Sequence, residues 1–244
     1  MISRGPLLGE FMGTFVLMLL GNGVCAAVTL KRSKAQGSGW MVVAAGWAFA
    51  VLCGIFVSLL CGSPDAHMNP AFTLAFAIKA QSFTKLLPYT LAQVAGGFCG
   101  AAATWLFYLP HWAVTEDPAA KLGVFATGPA IRNYPHNLFC EFLATFVLVL
   151  VAGGMSSKLV LTTGAAAGLS PLLVSFLIWS IGLSLGATTG YAINPARDLG
   201  PRLAHALLPI AGKGSSDWAY AWVPVMGPML GAGLAGWVLF LLGA

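Results

Sequence analysis

The sequence predicts an all-α membrane protein with six transmembrane helices and two re-entrant half-helices, arranged as an inverted 3+3 repeat. Three observations predict this fold: the composition, six long apolar runs, and an Asn-Pro-Ala tripeptide that occurs once in each half. Of the 244 residues, 58% are hydrophobic and only 8% are charged. A soluble domain carries about 25% charged residues, so this composition indicates an integral membrane protein.

The six expected spans are apolar runs that contain few charges. A helix needs about 20 apolar residues to cross the hydrocarbon core of a bilayer. Runs that reach or approach this length are Leu7–Leu30, Trp40–Cys61, Leu86–Leu109, Leu138–Met155, Gly164–Ala187 and Trp218–Gly243.

The two half-helices are predicted from the Asn-Pro-Ala tripeptides Asn69-Pro70-Ala71 and Asn194-Pro195-Ala196. Asn is a favoured N-cap and Pro suits the first helical turn, so each copy predicts the start of a helix. The segments from Asn69 to about Lys79 and from Asn194 to about Leu207 are too short to span at about 1.5 Å per residue. We therefore expect their N-termini to meet near the middle of the membrane.

The chain repeats itself. The segment Glu10–Leu19 matches Glu141–Leu150, and the two Asn-Pro-Ala copies follow at similar distances. Each repeat, about 5–109 and about 137–244, contains three spans, and this odd number requires the second repeat to be inverted. Inverted repeats place their shared site near the bilayer midplane. We expect one channel domain, 1–244, whose halves are joined by Leu109–Asn137.

Irregular backbone precedes each half-helix, at Gly62–Met68 and Thr188–Ile193. Such backbone is tolerated at membrane depth only where it is buried in protein or lines a wet cavity. Its carbonyls would accept hydrogen bonds from a solute, and the two Asn amides would donate. The positive ends of both helix dipoles would repel cations at this point.

Other functional classes find little support in the residues. The five Cys lie in or beside apolar runs without metal-ligand spacing, so we expect packing roles and neither a metal nor a cofactor. The net charge of +5 is spread over loops, without the basic run that nucleic-acid binding would favour. The sequence shows no recognisable catalytic set, which argues against a membrane enzyme. It also shows no acid placed for ion coupling near the half-helix tips, which argues against a secondary transporter.

The motifs His67–Ala71 and Gly190–Arg202 make the chain resemble the aquaporin (major intrinsic protein) superfamily, and within it the glycerol-facilitator branch, over nearly its whole length. The resemblance implies a right-handed bundle with the aquaporin fold, assembled as a homotetramer with one pore per subunit. It also implies a multi-pass protein of the cell membrane, in contact with lipid, with both termini cytoplasmic. The expected function is passive passage of glycerol, water and related small neutral solutes, without ions or protons. A water-selective channel is the alternative.

By resemblance, the selectivity filter consists of Trp47, Gly182, Tyr191 and Arg197. Water-selective channels carry His where this chain has Gly182, and a smaller residue in place of Tyr191. A polyol could lie with its carbons on the two aromatic rings and its hydroxyls on the Arg197 guanidinium, which offers a fork of donors. Asp198 after the arginine is a further mark of glycerol facilitators.

The resemblance also assigns supporting roles. Expected pore-lining residues are Asp65, Ala66, His67, Gly190, Ala192 and Ile193. The buried acids Glu10 and Glu141 would hold the re-entrant loops by hydrogen bonds, with a proton relay as the alternative. We expect Asp198 to be structural, either as the partner of Arg202 or at the first turn of the second half-helix.

Two positions depart from the family pattern, because Asp65 replaces a common Gly and Phe72 a common Val. The orientation also has conflicting indications. The basic residues divide into a smaller group, Arg4, Lys79, Lys85 and Lys158, and a larger group, Lys31, Arg32, Lys34, Lys121, Arg132 and Lys213. The positive-inside rule would place the larger group in the cytoplasm, whereas the resemblance places it outside.

Overall fold

A computed structural model of the chain describes residues 4–163, 166 and 168–244. These residues form helices and no strands. In chain order the helices are α1 (Pro6–Thr29), α2 (Trp40–Leu60), α3 (Pro70–Lys79), α4 (Leu86–Phe107), α5 (Leu109–Val114), α6 (Pro118–Phe125), α7 (Tyr134–Ser156), α8 (Leu169–Leu185), α9 (Pro195–Leu207) and α10 (Val223–Leu242).

Five helices, α1, α2, α4, α7 and α10, are long and apolar enough to cross a membrane. The fifth predicted span is shorter than expected, because α8 has 17 residues. Its expected first residue, Gly164, lies outside the described residues. A helix of this length reaches about 25 Å, which is at the lower limit for spanning. The last span begins at Val223, later than the expected Trp218, because Pro224 occupies its first turn.

The half-helices α3 and α9 start directly after Asn69 and Asn194 and end at Lys79 and Leu207, as the tripeptides predict. The segment that joins the halves, Leu109–Asn137, is partly helical. It contains α5 and α6, and Asp117 caps α6 by accepting a 2.8 Å hydrogen bond from the backbone N–H of Ala119.

Each half packs in the same way. Helix α1 contacts α2 and α4, and α7 correspondingly contacts α8 and α10. Glycines permit the close crossings: a Cβ added at Gly96 would overlap the Phe11 carbonyl, and one added at Gly231 would overlap the Phe142 carbonyl. The half-helices join the two halves, since α3 packs on α10 and α9 packs on α4.

The largest buried apolar cluster lies between the halves and contains residues from both, including Leu17, Trp47, Leu148, Ile178 and Tyr191. Many large apolar side chains point away from the bundle, as Phe107 does with 78% of its surface exposed. Outward apolar side chains are what a bilayer requires of a membrane protein's surface. The polar groups that the sequence singled out are instead inside.

Candidate pore and selectivity filter

A cavity of about 440 Å³ extends from Asp65 past both Asn-Pro-Ala turns to Arg197. We call it the pore cavity. Its polar lining comes from the re-entrant loops, from Arg197 on α9 and from Ser156 and Ser170. Helices α2, α7 and α8 supply apolar side chains such as Val51, Leu148 and Val174. The expected pore residues that line it are Trp47, Asp65, Ala66, His67, Asn69, Tyr191, Ala192, Ile193, Asn194 and Arg197.

The two Asn-Pro-Ala turns are bonded to each other. The Asn69 side-chain amide donates a 2.8 Å hydrogen bond to the Ile193 carbonyl, and the Asn194 amide donates a 2.8 Å bond to the Met68 carbonyl. Each Asn Oδ1 meanwhile caps its own half-helix. An amide NH₂ carries two donors, so each Asn keeps one N–H beyond this exchange. The sequence indicated amide donors but not the reciprocal bonds between the loops.

The Pro and Ala of each tripeptide form the first turn of the half-helix that the Asn caps. Pro70 and Pro195 are the first residues of their half-helices, and Ala71 and Ala196 follow with no exposed surface. Small residues here let the two half-helix ends come together. The prolines and alanines therefore form the buried side of the junction, while Asn69 and Asn194 line the pore cavity.

Both re-entrant loops have left-handed backbone at equivalent positions before the Asn. Ala66 and Met68 have φ values of 45° and 49°, and Tyr191 and Ile193 have values of 37° and 42°. A left-handed conformation costs a non-glycine residue about 1–2 kcal/mol, so the surrounding structure must hold each loop in place.

Glu10 holds the first loop. Its carboxylate is fully buried and accepts hydrogen bonds from the backbone N–H groups of His67 (2.9 Å) and Met68 (2.6 Å). It also accepts bonds from the Ser63 hydroxyl and the Gln93 amide, both at 2.7 Å. These four donors offset the cost of removing the carboxylate from water.

Glu141 does the same for the second loop. It accepts bonds from the backbone N–H groups of Ala192 (3.0 Å) and Ile193 (2.9 Å) and from the Thr189 hydroxyl (2.7 Å). The two acids therefore make equivalent contacts in the two halves. Neither Ser63 nor Thr189 was identified from the sequence, because only the fold brings them to the acids.

We expect Glu141→Ala to lower the melting temperature and to abolish most of the solute flux, because it leaves three buried donors without an acceptor. Each orphaned donor costs about 1–3 kcal/mol. Thermal unfolding in detergent and flux in proteoliposomes measure both effects. Glu116→Ala is the matched control, since the Glu116 side chain is 89% exposed. Equal behaviour of the two variants would contradict the supporting role of Glu141.

Arg197 and Trp47 form one wall of the expected filter. The Arg197 guanidinium carbon lies 4.1 Å from the centre of the Trp47 ring, within the range of a cation–π interaction. Arg197 also donates a 3.1 Å bond to the Phe125 carbonyl on α6, and Trp47 donates a 3.3 Å bond to the Cys25 sulfur. The contacts of Phe125 and Cys25 were missed, because no local pattern in the sequence indicates them.

The two glycines of the expected site are not part of the lining. Gly182 lies behind Tyr191, whose ring and hydroxyl face it. Gly190 lies against Thr127 and has a φ of 82°. Of the four residues expected to form the filter, Trp47, Tyr191 and Arg197 therefore border the pore cavity.

Asp198 pairs with Arg202 in a fully buried ion pair. Arg202 donates bonds of 2.6 and 2.9 Å to the two carboxylate oxygens. Asp198 also accepts bonds from the backbone N–H and the hydroxyl of Thr127, at 2.9 and 2.8 Å. Arg202 in turn donates to the carbonyls of Ser216 and Thr127. The pair thereby attaches two loops to α9.

Asp65 is at the other end of the pore cavity and does not present a free charge. Its carboxylate accepts 2.6 Å hydrogen bonds from the Lys85 ammonium and the Tyr89 hydroxyl. Partial burial by itself would raise the pKa of Asp65, but the bonds from Lys85 and Tyr89 lower it below 3.8. The departure from the family's Gly thus ties the first loop to α4.

His67 lies beside this group and stacks on Phe76 with ring centres 5.3 Å apart. Its Nδ1 is 3.2 Å from the Thr73 hydroxyl. Phe72 is the second departure from the family pattern. Its ring centre lies 5.7 Å from that of Phe76, and it also lines the pore cavity. This half of the cavity therefore combines one imidazole with an aromatic wall.

We expect the Asp65–Lys85 pair to stabilise the protein only while Asp65 is ionised. Because its folded pKa is depressed, the contribution is complete above pH of about 4 and is lost as the pH falls through the folded pKa. The Lys85 side chain is 53% exposed, so the pair contributes at most about 1 kcal/mol. Melting temperatures of wild type and Asp65→Asn should differ at pH 7 and converge at low pH. A difference that persists at low pH would contradict the pairing.

Known proteins resemble this chain over nearly its full length. The model of the family "Major intrinsic protein" matches residues 3–239. Glycerol uptake facilitator protein 3 of Lactiplantibacillus plantarum is 55% identical, over 93% of this chain and 92% of the relative. The probable glycerol uptake facilitator protein of Thermotoga maritima is 52% identical, over 95% of this chain and 98% of the relative.

A solved structure shares the fold. The X-ray structure of the aquaglyceroporin from Plasmodium falciparum superimposes with a TM-score of 0.80 and 27% identity. The match covers 95% of this chain and 93% of that structure. The expected aquaporin fold is therefore confirmed. Together with the family model, these relatives identify the chain as a member of the major intrinsic protein family.

Proposed function

We propose that this protein is a passive membrane channel for glycerol and related small neutral solutes, which also passes water and excludes ions and protons. The observation that carries the proposal is the filter at one end of the pore cavity, where Trp47, Tyr191 and the buried Arg197 meet. The facilitator relatives and the aquaglyceroporin neighbour support the same function.

The filter has the two chemical faces that a polyol has. The carbon atoms of glycerol can lie against the rings of Trp47 and Tyr191, which replace water at little cost. Its hydroxyls can accept bonds from Arg197, whose guanidinium has five N–H donors and uses one on Phe125. A hydrated ion would lose its water here and regain little, because the wall around the arginine is aromatic.

The Asn-Pro-Ala junction supports the exclusion of cations. Both half-helices direct their N-termini, each equivalent to about half a positive charge, toward Asn69 and Asn194. The free N–H of each Asn donates hydrogen bonds but accepts none. A hydronium ion or a metal cation therefore meets positive potential, while a neutral hydroxyl can be accepted.

Glycerol is favoured over the water-selective alternative. The residue where water channels carry His is Gly182, and the relatives that match nearly the full chain are named glycerol uptake facilitators. Membership of this family also supports a channel in preference to an enzyme. Glycerol, water and other small neutral solutes are thus the proposed permeants.

We further propose a homotetramer in the cell membrane with both termini cytoplasmic. The larger group of basic residues argues against this orientation by count, but three of its six members are bonded within the protein. Lys213 donates to three carbonyls at the end of α9, and Lys121 is 2% exposed and donates to the Ala211 carbonyl. Arg132 pairs with Asp217. Such engaged charges are weaker determinants of topology than free ones.

Stopped-flow light scattering on proteoliposomes tests the proposal. The purified protein should speed the entry of glycerol well above the rate of empty liposomes, and a panel of urea, dihydroxyacetone, hydrogen peroxide and undissociated small acids would define the range. Fast water flux with glycerol entry no faster than in empty liposomes would favour the water-selective alternative and contradict the proposal.

A further inference from the structure

His205 is a titratable side chain in the interior of the protein that has no part in the pore. It lies in the last turn of α9, is fully buried and does not line the pore cavity. Its Nδ1 is 2.8 Å from the Ser216 hydroxyl, while its Nε2 is buried and has no hydrogen-bond partner among the described residues. A protonated imidazole has two N–H donors, and only one of them could be bonded at this site.

Three segments of the chain meet at this imidazole. Helix α9 carries it, and Ser216 belongs to the connection between α9 and α10, residues 208–222. On α6, the Phe125 ring meets the imidazole edge-on with ring centres 5.5 Å apart. The Phe125 carbonyl in turn accepts the hydrogen bond from Arg197. A movement of His205 would therefore be felt, through one residue, at the end of the pore cavity where Arg197 lies.

The charged side chains closest to His205 along these segments are basic. Arg202 precedes it by three residues on α9, and the Lys213 ammonium donates a 2.7 Å hydrogen bond to the His205 carbonyl. Lys121, the one charged residue within α6, is buried where α6 packs on α9. Nearby positive charges and burial both disfavour the charged form of an imidazole. The site is thus built for a neutral histidine.

The acids of this region are already paired. Asp198 is bonded to Arg202, and Asp217 pairs with Arg132. Of the other helices that pack on α9, α4 and α10 contain no acidic or basic residue, and α3 contains only Lys79, at its far end. Among the described residues packed around α9, an imidazolium at His205 would therefore find no free carboxylate.

We propose that His205 is an acid-sensitive switch that holds α6, α9 and the 208–222 connection together only while it is neutral. On protonation the imidazolium leaves its buried site, the connection opens, and the Phe125 carbonyl no longer holds Arg197. Glycerol passage then falls. This switch goes beyond the proposed function, although its effect on flux rests on that function.

The pH range follows from the chemistry of imidazole. An imidazole in water has a pKa of about 6.5, so it takes up a proton below this pH once the site opens, whereas the buried form stays neutral. The closed form is therefore fully favoured above pH of about 6.5 and loses up to about thirtyfold in the equilibrium with the open form at pH 5. Asp65 remains ionised at pH 5, so the loss of the Asp65–Lys85 pair is a separate event at lower pH.

Glycerol entry into proteoliposomes buffered to the same pH on both sides tests the switch. Wild-type permeability should be lower at pH 5 than at pH 7.5 by about threefold or more, and should recover when the pH is returned to 7.5. In His205→Asn, whose amide can keep a bond to Ser216 but takes up no proton, the two permeabilities should be equal. His136→Asn is the matched control, since His136 is exposed on α7, and it should respond as wild type does.

Two results of this assay would overturn the inference. One is a wild-type permeability that is the same at both pH values. The other is a fall at pH 5 that persists in His205→Asn, because it would assign the response to another group, such as His67.

Two further measurements do not depend on transport. Backbone hydrogen exchange of residues 208–217 in wild type, relative to free-peptide rates at each pH, should be about tenfold less protected at pH 5 than at pH 7.5. The melting temperature of wild type in detergent should fall between these pH values by about 4 °C more than that of His205→Asn.

These measurements separate the switch from the proposed function. Unchanged exchange protection in wild type would overturn the switch, even if His205→Asn does not fold. Glycerol entry at pH 7.5 no faster than in empty liposomes would contradict the channel proposal alone, and hydrogen exchange would then decide the role of His205.

Discussion

Asp198→Ala is expected to destabilise the protein by about 3–5 kcal/mol, because it leaves the Arg202 guanidinium buried without its counter-charge. Both side chains of this pair have 0% exposed surface. The substitution also removes the acceptor of two hydrogen bonds from Thr127. A large fall in melting temperature in detergent, with loss of glycerol flux, is the measurement that checks this.

The exposed ion pair of Arg132 and Asp217 offers a matched control for that variant. The Arg132 side chain is 44% exposed, so Asp217→Ala should cost no more than about 1 kcal/mol. A double variant, Asp198→Leu with Arg202→Met, should be less destabilised than Asp198→Ala because no unpaired charge remains. Equal losses of stability in Asp198→Ala and Asp217→Ala would contradict the claim that burial makes the Asp198–Arg202 pair the costlier one to break.

Gly182→His should reduce glycerol flux by about tenfold or more and reduce water flux far less. A loss of this order is typical when a side chain fills the pocket that a substrate needs. The imidazole has no room behind Tyr191, so it and the phenol must occupy the filter. Water needs a narrower opening than glycerol and can still hydrogen-bond to the imidazole and Arg197. Separate stopped-flow measurements of water and glycerol give the two permeabilities.

The control for this substitution is Gly123→His. Gly123 is exposed on α6, and a Cβ added there meets nothing within 4 Å. It should leave both fluxes unchanged. If Gly182→His lowered water and glycerol equally, the position would not select between them, and the filter assignment would be wrong.

The features that the sequence predicted well are those with local causes. The half-helices begin at Asn69 and Asn194 because an Asn cap followed by Pro fixes a helix start within three residues. Long apolar runs predicted α1, α2 and α4 to within two residues at each end. Where an interfacial aromatic segment adjoined a span, as at Trp218, hydropathy could not tell it from the helix that follows.

The features that the sequence did not predict depend on contacts between distant segments. Asp65 meets Lys85 and Tyr89, and Arg197 meets Phe125, only after the helices have packed. Gly182 is the clearest example. A family pattern assigned it to the filter, yet its effect depends on a ring that the second re-entrant loop brings against it. Such a side-chain arrangement follows from packing and has no local signal.

Glycerol entry into proteoliposomes tests the central claim most directly when it is measured with and without an imposed proton gradient and membrane potential. The protein should carry glycerol down its gradient much faster than empty liposomes do, at a rate that neither the proton gradient nor the potential changes. No excess over empty liposomes, or a rate that follows the proton gradient, would contradict a passive channel in which the two half-helix ends and Arg197 exclude charge.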